Sequence, residues 1–167
     1  LQRVLDGVER MPVETVNLAA AHGRVLARDV VARLTQPPTD VSAMDGYAVR
    51  AADVGLVPAT LTQVGASAAG KAFDGTLGPG QTVRIFTGAA VPAGADAIVI
   101  QEDTEAAGDQ ITMNEAVLPG HYVRPAGLDF CRGDVGISAN RVLSARDVGL
   151  AAAMNVPWLT VTRAPRI

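Results

Sequence analysis

Four short stretches place oxygen-bearing side chains where the local backbone would hold them still. Asp45 stands in Ser42-Ala43-Met44-Asp45-Gly46-Tyr47-Ala48-Val49, after the breaker run Gln36-Pro37-Pro38-Thr39-Asp40. The prolines stop any helix and leave the chain extended or turning. Met44, Tyr47 and Val49 would anchor the segment by packing, with Asp45-Gly46 as a turn-type pair between them. A carboxylate on such a turn is fixed in place, although Asp-Gly by itself reads first as a chain reversal. Thr87 and Gly88 close the strand-like run Arg84-Ile85-Phe86-Thr87-Gly88-Ala89. A hydroxyl beside a glycine at a strand end suits a phosphate or oxyanion that approaches the backbone; a structural turn is the simpler reading. Glu102 and Asp103 follow an apolar strand, and side-chain alternation would send them to opposite faces, one lining a site and one solvated. Asp129 ends the glycine loop Arg124-Pro125-Ala126-Gly127-Leu128-Asp129 near Arg132, and pairing with an arginine is the commonest fate of such a residue.

The elements that must position these groups are built from a restricted palette. In 167 residues 49% are apolar but only 4% aromatic, so the core must come from Ala, Val, Leu and Ile. The length suits one ordinary domain or two small ones. A net charge of −3 argues against a nucleic-acid or anionic-membrane surface. Cys131 is the only cysteine, which excludes an internal disulfide and fits a reducing compartment. His22 and His121 lie far apart with no partner cysteines, so there is no zinc signature. With no leader-like opening and no run of membrane length, the expectation is a soluble, cytoplasmic protein without nucleic-acid or membrane partners.

Along the chain, Val4, Leu5 and Val8 predict a short amphipathic helix over residues 1–9. An extended piece follows at Thr15 to Leu18, then a helix-prone run Leu18 to Ala21 ended by Gly23, then a strand at about 28–34. Beyond Asp45 come short β-type runs split by glycine and proline: 61–64, 82–86, 97–101, 110–113 and 122–124. The tight turns 77–80 and 91–94 lie between them, and this spacing predicts a small barrel or sandwich. A brief strand at 135–137 follows, then a helix from Ala145 to Met154 with Ser144 as N-cap and Asn155 as C-cap, then a strand at 158–162. The fold class read from this order is α/β plus all-β. A discontinuous mixed α/β domain (1–41 and 128–167) carries an inserted, small β-barrel-like domain (42–127). The closing Arg163-Ala164-Pro165-Arg166-Ile167 reads as a linker into a further element, which suggests a fragment.

Three blocks carry a resemblance. Pro37 to Val49 (PPTDVSAMDGYAV), Arg84 to Asp103 (RIFTGAAVPAGADAIVIQED) and Val123 to Gly133 (VRPAGLDFCRG) resemble the molybdopterin molybdenumtransferases, the MoeA and gephyrin E-domain family. The similarity runs over the whole chain, and the SAMDGYAV and TGAxVPxGADAIVxQE blocks are long and unusual. Val41 stands where the family usually has Asn, Ala90 where it has Pro, and Leu128 where it often has Glu. The resemblance implies acceptance of adenylylated molybdopterin, release of AMP and insertion of molybdate, with a divalent metal, usually Mg2+. It implies an elongated homodimer with each site in a cleft between the β-rich domain of one protomer and the nucleotide-binding domain of the other. Molybdopterin adenylyltransferase is an implied further partner. By position, Asp45, Thr87 and Asp129 match family site residues. Thr87, Gly88 and Glu102 are expected at the cofactor, and Asp45 and Asp129 at the metal, since carboxylates suit a hard cation. Arg84, Arg124 and Arg132 could also turn into the cleft.

The resemblance further implies a C-terminal α/β domain and a small β domain beyond Ile167, so this chain would supply half of a composite site and be inactive alone. Two rival readings are a non-catalytic scaffold module of the gephyrin type and a carrier domain modified on Lys71, the only lysine. Against the scaffold, carboxylates on glycine turns make poor protein-binding hot spots. The default for Lys71 is an isolated surface lysine.

Overall fold

The computed structural model describes residues 11–165, so the helix expected over 1–9 lies outside the described residues. The chain divides into two units: one combines the chain up to Thr35 with the chain from Asp129 onward, and the other is Gln36–Leu128.

In the Gln36–Leu128 unit a six-stranded sheet has the order β7-β4-β6-β5-β9-β8. Its strands are β4 (Gly46–Val49), β5 (Ala59–Ser67), β6 (Gln81–Ile85), β7 (Ala97–Ile100), β8 (Thr104–Ala107) and β9 (Gln110–Met113). Two further short strands, β3 (Val41–Ser42) and β10 (Val123–Arg124), pair with each other. Only β5 and β6 run parallel in the large sheet. With β7 and β8 as edges the sheet is open, so the barrel-like expectation takes the form of a half-barrel.

All four residues of β4 are buried, because the strand lies between β7 and β6 and both of its faces are covered. Alternation sends Tyr47 and Val49 into one cluster with Val54, Val99 and Ile111. It sends Ala48 into a second cluster with Val83, Ile85 and Ile98. Near-continuous apolar runs are what a strand covered on both faces requires. The clusters are dominated by Val, Ile, Leu and Ala, as the scarcity of aromatics demanded.

In the other unit β1 (Val13–Asn17) pairs with β12 (Trp158–Thr162), and β2 (Val30–Val31) with β11 (Val135–Ile137). One α-helix, α1 (Ala145–Ala153), completes it among the described residues. The Ser144 Oγ accepts from the Asp147 N–H, and the Asp147 carboxylate accepts from the Ser144 N–H, a reciprocal capping box. Leu26, Val30, Ile137, Leu143, Met154, Leu159 and Val161 form the core. Three local expectations are corrected. The strand expected at 28–34 pairs only at Val30–Val31, next to a register shift in β11. Residues Leu18–Ala20 form a 3-10 turn capped by the Asn17 side chain. Met154 is the C-cap of α1, and Asn155 is the left-handed residue after it, with φ 59°.

Candidate functional site

Asp45 joins β3 to β4 within the Gln36–Leu128 unit. Gly46 is not the φ-positive residue of a hairpin turn, as the Asp-Gly pair suggested; it is the first residue of β4. A Cβ built on Gly46 would lie 2.1 Å from the Val99 carbonyl oxygen on β7. Glycine is needed here for close approach of two strands. Asp45 is thereby fixed at the mouth of a strand rather than on a free reversal.

Thr87 follows β6, and its loop is clipped onto β3. The Gly88 N–H donates to the Ser42 carbonyl at 2.8 Å, and the Ser42 N–H donates to the Ala89 carbonyl at 2.9 Å. Gly88 has φ 80°, which a glycine adopts without strain. This loop brings Thr87 to Asp45 across 42 residues of sequence. Both the backbone N–H and the hydroxyl of Thr87 donate to Asp45 Oδ1, each at 2.8 Å. The Thr87 backbone bond, then its hydroxyl bond, hold the Asp45 carboxyl below its ordinary 3.8; burial opposes them and the Arg84 charge adds slightly. Asp45 is therefore a firmly ionised, oriented carboxylate.

Arg84 does not point away as a free cation. Its Nη1 donates to the Gly46 carbonyl at 2.7 Å and its Nη2 donates to Gln101 Oε1. Its guanidinium lies 5.1 Å from the Tyr47 ring centroid and 4.9 Å from that of Phe86. Arg84 thus ties β4, β6 and the turn after β7 together, a residue whose part in the site was not assigned from sequence. The signal was available: an arginine in a strand flanked at a distance by two of the few aromatics.

Glu102 and Asp103 lie in a 3-10 turn, Gln101–Asp103, so strand alternation does not govern them. Glu102 is exposed, and the preceding residue, Gln101, donates its N–H to the Asp45 carbonyl at 3.1 Å. Asp103 is engaged with Glu115: their shared hydrogen bond, then burial, raise the Glu115 carboxyl. Asp129 belongs to the other unit, at the start of its second segment, and is exposed. No group of three or more His, Cys, Asp or Glu side chains able to hold a metal occurs among the described residues. Lys71 is exposed in a tight turn, with reciprocal backbone bonds to Ala68.

Because Asp45 titrates lower in the folded state than its ordinary 3.8, its contribution to stability is complete above that value. It is lost as pH falls through the folded value. Thr87→Val keeps the larger, backbone bond and removes the hydroxyl, so the carboxyl is expected to move part of the way back toward 3.8. A carboxyl-carbon NMR titration of Asp45 checks this; an unmoved midpoint would contradict the hydroxyl's role.

The β-rich unit thus presents an ionised carboxylate locked to a threonine on a glycine loop. Residues 1–155 match the family described as MoeA N-terminal region (domain I and II), and the chain belongs to that family. It is 40% identical over 158 residues to a molybdopterin molybdenumtransferase of Nostoc sp., covering 92% of this chain and 36% of that protein. It is 40% identical over 157 residues to molybdopterin molybdenumtransferase 2 of Mycobacterium tuberculosis, covering 92% of this chain and 39% of that protein. The crystal structure of a molybdopterin biosynthesis moeA protein from Pyrococcus horikoshii superposes with a TM-score of 0.92 at 32% identity. That match covers 99% of this chain and 45% of the other, so the chain spans less than half the length of these relatives. Val41 and Ala90 face each other in an isolated antiparallel bridge; Val41 also pairs with Arg124, and the Ala90 carbonyl accepts from Ser67 Oγ at 2.8 Å.

Proposed function

We propose that this chain is the acidic and hydroxyl-bearing part of a molybdopterin molybdenumtransferase, which inserts molybdate into adenylylated molybdopterin and releases AMP. The observation that carries the reading is the Asp45–Thr87 pair, held rigid by two hydrogen bonds within the most distinctive sequence blocks. The names of the relatives support the reaction class. The complete enzyme is proposed to act in the cytoplasm as a homodimer, fed by a molybdopterin adenylyltransferase, with each site completed by groups outside this chain.

The chemistry assigned to each residue follows from its bonding. Asp45 is the locked carboxylate that would hold a divalent cation such as Mg2+, which keeps most of its waters and binds through one or two carboxylates plus substrate phosphates. Asp129, in the other unit, is assigned to the metal by the family resemblance alone. That ion would supply neutralisation of phosphate charge. A single locked, ionised carboxylate fits such a loosely held ion better than a closed cage would. Thr87 gives its only hydroxyl proton to Asp45, so toward a ligand its oxygen is an acceptor. It therefore suits an N–H of the pterin or a bound water rather than a phosphate oxygen. Gly88 follows Thr87 in the loop and Glu102 follows Gln101, whose N–H donates to the Asp45 carbonyl; both are assigned to the cofactor by the family resemblance. Arg84 gives one N–H each to Gly46 and Gln101 and lies over the Tyr47 and Phe86 rings, so it is held as a structural tie, and the cations that hold the anionic substrate would come from elsewhere.

In the presence of magnesium and molybdate, the full-length protein bearing this chain is expected to release AMP from adenylylated molybdopterin. The 167-residue chain alone is expected to release none. AMP release by the chain alone, or an intact substrate after incubation with the full-length protein, would place the chemistry elsewhere. The scaffold and Lys71-carrier readings have no structural observation in their favour.

A further inference from the structure

We propose that a cavity in the unit containing β12 binds a phosphate monoester carried on an aromatic or heteroaromatic ring. The cavity is about 420 Å3, within the range for small-molecule sites, and all its lining residues belong to this one unit. Arg28, Arg33 and Arg132 line it together with Asp29, Gly133 and Trp158. None of the three guanidinium groups has a hydrogen-bond or ion-pair partner among the described residues, whereas Asp29 Oδ1 is occupied by the Ala139 N–H at 2.7 Å.

Three guanidinium charges against the one Asp29 carboxylate leave the concavity net positive, and a concave low-dielectric wall focuses that field on an anion. The backbone that carries them is fixed, so the cluster is not an accident of mobile side chains. The Arg33 N–H donates to the Met154 carbonyl at 3.0 Å, the Gly133 N–H to the Ala32 carbonyl at 2.9 Å, and the Arg132 N–H to Thr35 Oγ1 at 3.1 Å. Gly133 has φ 99° and open space where a side chain would stand, which leaves the approach beside Arg132 clear. Guanidinium groups match phosphate oxygens in a bidentate fork. Trp158 lines the same cavity and is 58% exposed although it lies in a paired strand, so its indole is accessible to a ligand there. A phosphate for the arginines and a ring for the indole together define the ligand class. None of these residues belongs to the Asp45–Thr87 cluster, so the assignment stands apart from the proposed reaction.

Trp158 is the only tryptophan in the chain, so its fluorescence reports on this cavity alone. Titration of the 167-residue chain with phenyl phosphate is expected to give a saturable change, with inorganic phosphate binding more weakly and phenol not at all. Calorimetry on Arg28→Gln and Arg132→Gln, each checked for an unchanged melting temperature, is expected to give about tenfold weaker binding of phenyl phosphate per lost guanidinium. No saturable response to either phosphate, or a response indifferent to both substitutions, would overturn the site. Equal affinity for the two phosphates would overturn the stacking role of Trp158.

Discussion

Gly46→Ala is expected to destabilise the Gln36–Leu128 unit by about 3 kcal/mol, a drop in its melting temperature of about 15 °C. The new Cβ would sit 2.1 Å from the Val99 carbonyl oxygen and 3.0 Å from two other backbone atoms of the Val99–Ile100 segment. Those atoms belong to β7, which pairs with β4 from Gly46↔Ile100 to Val49↔Ala97, so no side-chain rotation can relieve the clash. On its other side β4 is paired to β6, so β4 cannot slide away either. The strands would have to part at the point where the Gly46 carbonyl also accepts from Arg84. Thermal melting followed by far-UV circular dichroism measures the loss. A variant that melts within about 2 °C of the parent would mean that the β4–β7 spacing relaxes cheaply.

Legibility differed from place to place for physical reasons. The core composition followed directly from the residue counts, because a chain with few aromatics must fill its interior with aliphatic side chains. The runs at 82–86, 97–101 and 110–113 were readable because each carries β-branched residues bounded by turn signals. Strand β4 was not: Gly46-Tyr47-Ala48-Val49 opens on an Asp-Gly pair, and its strand character comes from neighbours on both sides. Strand β8, Thr104-Glu105-Ala106-Ala107, has weak intrinsic preference and little burial, and its state is set by pairing with β9. The 3-10 turn at Gln101–Asp103 escaped because two adjacent acids after a strand give no periodicity to read. At the site, local pattern supplied the residue types, but the meeting of Asp45 with Thr87 across 42 residues came only through the family resemblance.

Asp45→Asn, made in the full-length protein, is expected to lower AMP release about a hundredfold while leaving the fold intact. Asparagine has nearly the shape of aspartate, and its carbonyl oxygen can accept both Thr87 bonds that now end on Oδ1. What changes is the charge and the second oxygen, which becomes a donor and can no longer face a cation. The melting temperature at neutral pH should therefore move little, whereas magnesium dependence should weaken with activity. Thr87→Val gives the complementary perturbation: the charge stays and one of its two tethers goes, so a smaller loss of activity is expected. Because the two side chains form one hydrogen-bonded unit, the double variant should be scarcely worse than Asp45→Asn alone. Independent, multiplying losses would mean that Thr87 acts mainly through its own acceptor contact with the ligand, with little of its effect passing through Asp45. Full activity of Asp45→Asn would remove Asp45 from the chemistry and leave it a strand-end residue, held by Thr87 for structure alone.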